Sequence, residues 1–100
     1  MTTNKELLKI LRGDILQFVY ESKVPRVKKS AIRTAYYQYY SYPDIDRAIS
    51  YLVDRGYLDE ELLQSPIERD RTDEFYSLSA DGMLIVEGSL EDKGIAIGDE

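Results

Sequence analysis

The chain has 100 residues, of which 43% are hydrophobic and 32% are charged, and its formal net charge is −6. This length suits one domain with a single core, and the composition is ordinary for a soluble globular protein. No apolar run approaches the roughly 20 residues that cross a bilayer, and the first residues lack the plan of a signal peptide, so we expect a cytoplasmic protein without membrane contacts.

Cysteine and histidine are both absent, and this excludes several kinds of chemistry. Thiolate nucleophiles, histidine proton shuttles and Cys/His zinc sites all need these residues. Glycine-rich phosphate loops and nucleophile motifs are also missing, and the acidic clusters at 59–61 and 70–74 lack EF-hand spacing. We therefore expect no enzymatic activity, no catalytic residue, no cofactor and no metal.

The net charge hides an uneven distribution along the chain. Residues 1–43 hold eight Lys or Arg against three Asp or Glu, a net charge of +5, whereas residues 44–100 hold five against sixteen, a net charge of −11. Because an acidic protein is repelled by DNA at long range, any contact with nucleic acid must use a local basic patch. The same polarity could instead pair one subunit with another, or with a basic partner.

The first predicted element is a helix over residues 4–22, with Thr3 and Glu6 as a capping box. Gly13 lowers helix stability by about 1 kcal/mol relative to Ala, so it marks a bend or a close contact, and a helix broken there is the alternative. The apolar stripe recurs at helical spacing, with surplus apolar residues beside it. The stripe comprises Leu8, Leu11, Ile15, Phe18 and Val19, and the surplus Leu7, Ile10 and Leu16.

Pro25 makes residues 23–27 a connector, and a second helix is predicted from Lys28 or Lys29 to Tyr40. One face of this helix holds Ile32, Ala35, Tyr36 and Tyr39, which we expect in the core; another holds Lys29, Arg33, Tyr37 and Tyr40.

A third helix is predicted over residues 44–55, capped by Ser41 through the Asp44 amide and ended by Gly56. Strands follow at 57–58, with 62–63 as an extension, and at 75–78. Ser79 caps a last helix over 80–88, whose Leu84, Ile85 and Met83 are expected to pack inward. Residues 1–88 then form one domain, and 89–100 form an acidic tail, which is either frayed or docked onto a neighbour as a short strand through 95–97.

Two short segments carry a resemblance to a known fold. They are DRGYL at 54–58, after a helix with apolar residues at 45, 48, 49 and 52, and YSLSADG at 76–82. Over about residues 28–88 the chain resembles the winged helix-turn-helix domain of small prokaryotic transcription regulators. This resemblance implies an α+β fold with three to four helices and a two- or three-stranded wing.

The resemblance also implies a small transcription regulator that binds double-stranded DNA sequence-specifically. The helix at 44–55 would enter the major groove, the basic segment 23–33 would bind the phosphate backbone, and the hairpin would form the wing. The residues expected to contact DNA are Lys28, Lys29, Arg33, Tyr37, Arg47, Ser50, Tyr51, Arg69 and Arg71.

Each of these assignments has a structural alternative. The helix at 44–55 carries Asp44, Asp46 and Asp54, so its outer face also fits a solvated surface with acids favoured by the helix dipole. The basic segment could simply balance the acidic half of the chain, within one chain or across a dimer. Tyrosines at 37 and 40 also suit a protein interface, and Arg69 and Arg71 stand among four acids with which they could form exposed ion pairs.

Two functions therefore remain open. The first is the DNA-binding regulator, expected to be a homodimer that pairs through the first helix and the tail. The alternative is a winged helix that serves as a protein-protein interaction or adaptor module without DNA. If the basic residues converge on one surface, the regulator is favoured; if Asp46 and Asp54 interrupt that surface, the adaptor is favoured.

Overall fold

The computed structural model describes residues 4–98, which form an α+β fold of four helices and three strands. None of the helices in this range is long and apolar enough to cross a membrane. In chain order the elements are α1 (Asn4–Glu21), β1 (Val27–Lys28), α2 (Lys29–Tyr36), α3 (Tyr42–Asp54), β2 (Leu58–Gln64), β3 (Thr72–Leu78) and α4 (Ala80–Glu87).

The three strands form one antiparallel sheet in the order β1-β3-β2. The hairpin β2–β3 pairs Leu58 with Leu78 at its base and Gln64 with Thr72 near its tip. The short strand β1 pairs Val27 with Tyr76, although the sequence predicts only a connector there. A strand of only two residues shows no alternation of apolar and polar side chains from which it could be predicted. Its pairing also depends on β3, which lies more than 40 residues later in the chain.

A single apolar cluster fills the space between the helices and the sheet. α1 and α3 make most of the helix contribution, and Tyr76 of β3 is only 1% exposed. The members of this cluster are Leu11, Ile15, Leu16, Val19, Val27, Ile32, Ile45, Ala48, Ile49, Leu52, Tyr57, Leu58, Tyr76 and Ile85. Helical spacing predicts five buried residues in α3, at positions 45, 48, 49, 52 and 53. Four of them are buried, and Val53 is only partly buried against the core.

Helix α1 is continuous, and Gly13 marks a close contact in it rather than a break. A Cβ atom on Gly13 would lie 1.9 Å from the carbonyl oxygen of Ala96. Only a residue without a side chain permits this approach. The predicted capping residue Thr3 lies outside the described residues.

Helix α2 ends at Tyr36, four residues earlier than predicted, and the chain continues in turns. The rings of Tyr36 and Tyr40 are turned towards α1, where their hydroxyl groups donate to the backbone oxygens of Asp14 (2.9 Å) and Leu7 (3.5 Å). Tyr39 is consequently 77% exposed, so its predicted core position is wrong, and Ala35 is exposed as well.

The predicted caps of the later helices are confirmed. The Ser41 hydroxyl accepts a hydrogen bond from the Asp44 amide at 3.2 Å, and the Ser79 hydroxyl accepts one from the Gly82 amide at 3.0 Å. After α3, Gly56 adopts a φ of +80°, which favours glycine. These contacts are local, so the sequence alone suffices to predict them.

Helix α4 packs through fewer apolar residues than predicted. Ile85 is 2% exposed, but Met83 and Leu84 are 42% and 40% exposed. Their expected inward packing is wrong, because one short helix beside β3 and α1 buries a single narrow stripe.

Residues 89–98 cross over α1 without forming a strand. The Ala96 amide donates to the Lys9 carbonyl at 3.1 Å, and Ile95 and Ile97 pack against the core. The segment therefore docks on this chain's own first helix.

Candidate functional site

Four of the residues expected to bind DNA lie together at the junction of β1, α2 and β3. Lys28, Lys29, Arg33 and Arg71, which we call the paired basic patch, line a small open cavity of about 190 Å³. Tyr37, Arg47, Ser50, Tyr51 and Arg69 do not line this cavity.

Each cation of the paired basic patch contacts at least one carboxylate. Asp73 lies 3.4 Å from the Lys28 ammonium and 3.0 Å from the Arg71 guanidinium. The Lys29 ammonium lies 2.9 Å from Glu74, and this contact contributes most to lowering the pKa of Glu74. Neighbouring acids therefore neutralise much of the positive charge available to a phosphate.

The closest of these contacts involves Asp46, an acid on the outer face of α3. Both of its oxygens accept from Arg33, at 3.1 and 2.5 Å, and this pairing raises the pKa of Arg33. Asp46 also lies 3.8 Å from the Lys29 ammonium. The acid thus stands inside the surface predicted to hold phosphates.

The outer face of α3 carries one exposed cation, Arg47, among acidic side chains. The Arg47 side chain is 75% exposed and lies 3.3 Å from Asp44 of the same helix. Ser50 and Asp54 are exposed beside it. Arg47 and Ser50 are therefore accessible as predicted, but the face they share is of mixed charge.

Tyr51 does not face outward as the helical spacing suggests. The side chain is half-buried, and its hydroxyl donates to an Asp92 oxygen at 2.7 Å. The guanidinium of Arg12 lies over its ring at 4.1 Å from the centroid. Contacts to α1 and to the segment after α4 occupy this side chain, so it is not available to a base edge.

Asp92 is the centre of a hydrogen-bonded cluster that we call the Asp92 latch. Its carboxylate accepts from the hydroxyl groups of Tyr51 and Tyr57 and from the Gly94 amide, all at 2.7 Å, and lies 3.5 Å from Arg55. Burial alone raises the pKa of Asp92, but the hydrogen bonds together lower it below its usual value. No local pattern in the sequence distinguishes Asp92 from the neighbouring acids, so its role is not predictable from the sequence.

The tip of the β2–β3 hairpin presents Arg69 to solvent. Its backbone carbonyl accepts from the Gln64 side chain at 2.6 Å, which fixes the turn. In the middle of β2, Glu61 pairs with Arg26 of the predicted basic segment at 2.6 Å. Of the cations expected at DNA, Lys23 of the basic segment and Arg69 form no ion pair within residues 4–98.

A second surface, which the sequence analysis indicates only in part, lies between α1 and the turn from α2 to α3. We call it the tyrosine groove: an open cavity of about 680 Å³. Tyr37 is 53% exposed near the same turn. The groove is lined by Asn4, Leu7, Asp14, Ala35, Tyr36, Gln38, Tyr39, Tyr40, Ser41 and Asp44.

The floor of the groove is formed by the packed ring of Tyr36, and its rim is formed by exposed side chains. Tyr36 packs edge-on against Phe18, with ring centroids 6.0 Å apart, and burial is the main cause that raises its pKa to about 12. Leu7 and Tyr39 are 39% and 77% exposed. Burial raises the pKa of Asp14, whose carboxylate has no cationic partner between residues 4 and 98. The groove therefore combines exposed aromatic and apolar side chains with polar ones, and Asp14 is an acid in it without a cationic partner among residues 4–98.

No group of three or more potential metal ligands is present among residues 4–98.

Comparisons of the chain with protein-family models, with curated proteins and with solved structures found no match.

Proposed function

We propose that this chain is a winged helix-turn-helix domain that works as a protein-protein interaction module. In this proposal α2 and α3 are the helix-turn-helix, the β2–β3 hairpin is the wing, and β1 completes its sheet. The observation that carries the proposal is the position of Asp46 between Lys29 and Arg33. An acid that contacts two of the expected phosphate-binding cations opposes DNA binding there, because it repels the phosphate backbone and pairs with those cations.

The interaction surface we propose is the tyrosine groove. Aromatic side chains are enriched in protein interfaces because they bury a large area at low conformational cost. Leu7 and Tyr39 offer such area, and Ile10, 38% exposed, lies between Leu7 and Asp14 on the same face of α1.

The chemistry of the groove defines its partner. The partner would be an amphipathic segment that places apolar side chains against Leu7 and Tyr39 and a Lys or Arg at Asp14. Such a cation would compensate the half-buried carboxylate, which no residue described in this chain does. A partner that is basic overall would also be attracted by the net charge of −6.

A synthetic amphipathic peptide with Leu and Lys at helical spacing tests this surface by titration into ¹⁵N-labelled protein. We expect the largest amide shifts at Leu7, Asp14 and Tyr39, and a loss of affinity of about 10-fold in Tyr39→Ala. Ile67→Ala is the matched control, because Ile67 is 90% exposed but lies in the hairpin turn. Equal affinities of the two variants would contradict the proposal.

Double-stranded DNA binding by a transcription regulator is the second candidate function. The exposure of Arg47 and Ser50 on α3, and of Arg69 at the hairpin tip, favours it. On duplex DNA, Lys29 and Arg33 would have to exchange their carboxylate partners for phosphates. The two candidates separate in a salt titration of random-sequence duplex, in which only the regulator loses affinity through Lys29→Ala and Arg33→Ala.

Homodimer formation through α1 remains part of the regulator candidate. Leu16 is fully buried in the core, so only Leu7 and Ile10 of the surplus apolar residues are exposed for such contacts. Sedimentation at increasing protein concentration measures this state directly.

A further inference from the structure

A second cluster of cations lies away from the paired basic patch, in an open cavity of about 770 Å³ between α1, the end of α3 and the segment after α4. We call it the basic cavity. The residues that line it are Asn4, Lys5, Leu8, Lys9, Arg12, Tyr51, Arg55, Lys93 and Gly94, among which five carry positive charge and none carries negative charge.

Most cations of the basic cavity lack the carboxylate partners that each cation of the paired basic patch has within residues 4–98. Only Arg55 forms an ion pair within the described range, with Asp92 at 3.5 Å. The Asp92 carboxylate is itself 6% exposed and occupied by the hydrogen bonds of the latch. Lys5, Lys9 and Lys93 have no carboxylate within ion-pair distance in that range. Within residues 4–98, the cavity thus has positive charges that no carboxylate pairs, in a protein whose net charge is −6.

The geometry of α1 explains why these cations converge. Residues 5, 9 and 12 are separated by four and three positions, so they share one face of the helix. Leu7, Ile10 and Asp14 lie on the opposite face, towards the tyrosine groove. The segment after α4 then brings Lys93 to the first face, because the Ala96 amide binds the Lys9 carbonyl at 3.1 Å.

Arg12 forms the inner wall of the basic cavity. One of its terminal nitrogens donates to the Gly94 carbonyl at 2.9 Å, and its guanidinium lies over the Tyr51 ring. Its Nε atom is buried without a hydrogen-bond partner. A buried guanidinium nitrogen without a partner is costly, and an anion in the cavity would offset the charge of this group.

We propose that the basic cavity binds the phosphate chain of a small molecule, such as a di- or triphosphate. Several cations that converge in one cavity match closely spaced phosphate charges, and arginine forks match phosphate oxygens. A volume of about 770 Å³ is within the usual range of small-molecule sites. The guanidiniums of Arg12 and Arg55 lie over the Tyr51 ring, so recognition acts on phosphate charge rather than by stacking a base on that ring. The inference does not depend on the protein-binding groove.

Isothermal titration with inorganic tripolyphosphate at low salt tests the proposal. We expect saturable binding that weakens at least 10-fold in Lys5→Gln/Lys9→Gln. The matched control is Lys23→Gln/Arg69→Gln, which changes the net charge equally at exposed positions outside the cavity. This control is expected to bind within 2-fold of the unaltered protein. Circular dichroism of both variants confirms that each is folded.

Three outcomes would overturn the proposal. These are no saturable binding up to millimolar tripolyphosphate, equal weakening by the two double variants, and binding of duplex or single-stranded oligonucleotide through Lys5 and Lys9 without binding of tripolyphosphate. The last outcome would assign the cavity to a nucleic-acid backbone. Failure of the tripolyphosphate proposal is distinguishable from failure of the proposed protein-binding function, since the peptide titration tests residues on the other face of α1.

Discussion

Replacement of Asp92 by alanine is the most informative test of how the chain end is held. The substitution removes the acceptor of three hydrogen bonds at 2.7 Å and leaves two tyrosine hydroxyls without their partner. Hydrogen bonds to charged groups contribute about 1.5–3 kcal/mol when measured singly, and neighbouring ones are not additive. The Arg55 contact adds little, because its side chain is 57% exposed.

We therefore expect Asp92→Ala to lower the free energy of unfolding by about 3 kcal/mol. For a domain of this size that corresponds to a fall in Tm of about 12–24 °C. Urea unfolding and thermal melts, followed by circular dichroism, measure both quantities. Glu91→Ala is the matched control, an exposed acid of the same segment, and is expected to change stability by less than about 0.5 kcal/mol. A loss below about 1 kcal/mol for Asp92→Ala would refute the latch as a stabilising element.

The pH dependence of stability provides a second measurement of the same cluster. The pKa of Asp92 is lower in the folded chain than its ordinary value of 3.8, so its contribution is present above about pH 4 and is lost as the pH falls further. Tyr57 has the opposite sign: the hydrogen bond to Asp92 and burial raise its pKa from 10.0 to about 12, so its contribution is lost as the pH rises through this range. We expect Asp92→Ala to reduce the loss of stability at both limits; unchanged pH profiles would contradict this assignment.

Three further experiments test packing and pairing elsewhere. Gly13→Ala should destabilise the chain by about 2 kcal/mol, although alanine favours helix by about 1 kcal/mol, because its Cβ would meet the Ala96 oxygen; a stabilised variant in urea unfolding would show that this contact is absent. A double-mutant cycle of Arg33→Ala and Asp46→Ala should give a coupling of about 0.5–1 kcal/mol, and zero coupling would mean that the bidentate pair does not form in solution. Tyr76→Phe should cost about 1 kcal/mol, since the hydroxyl of this fully buried residue lies within 3.0 Å of two carboxylates; an unchanged urea midpoint would contradict that role.

The features that the sequence predicts correctly depend on neighbours within a few residues. Ser41 and Ser79 each cap a helix through an amide three positions on, and Gly56 supplies the positive φ after α3. The apolar spacing of α3 likewise identifies its four buried residues, together with Val53, which is only partly buried. These signals are local, and they suffice for the order of the four helices and the β2–β3 hairpin but not for β1.

The features that the sequence does not predict depend on distant contacts. Tyr51 lies on the outward side of α3 by helical spacing, but Asp92, which is 41 positions away, binds its hydroxyl. Tyr39 is displaced from the core because α2 ends early, where Tyr36 turns to the Asp14 carbonyl. Periodicity assigns a residue to a face of its own helix, and it carries no information about which segment covers that face.

The predicted basic patch illustrates the same limit for charge. No acid occurs between Ser22 and Pro43, so the sequence predicts that the basic residues of this segment have no acidic neighbours. In the fold, Asp46, Asp73 and Glu74 approach it from α3 and β3. Within residues 4–98, the cations of the basic cavity that lack such partners come from two separate parts of the chain, α1 and the segment after α4, which no single window of sequence contains.

Fluorescence anisotropy with random-sequence duplex DNA, titrated from low to physiological salt, tests the central claim most directly. If carboxylates neutralise the paired basic patch, the double variant Lys29→Ala/Arg33→Ala will match the unaltered protein at every salt concentration. A steep salt dependence that this variant reduces would contradict the account, because it would show that these cations leave Asp46 and Glu74 for phosphates.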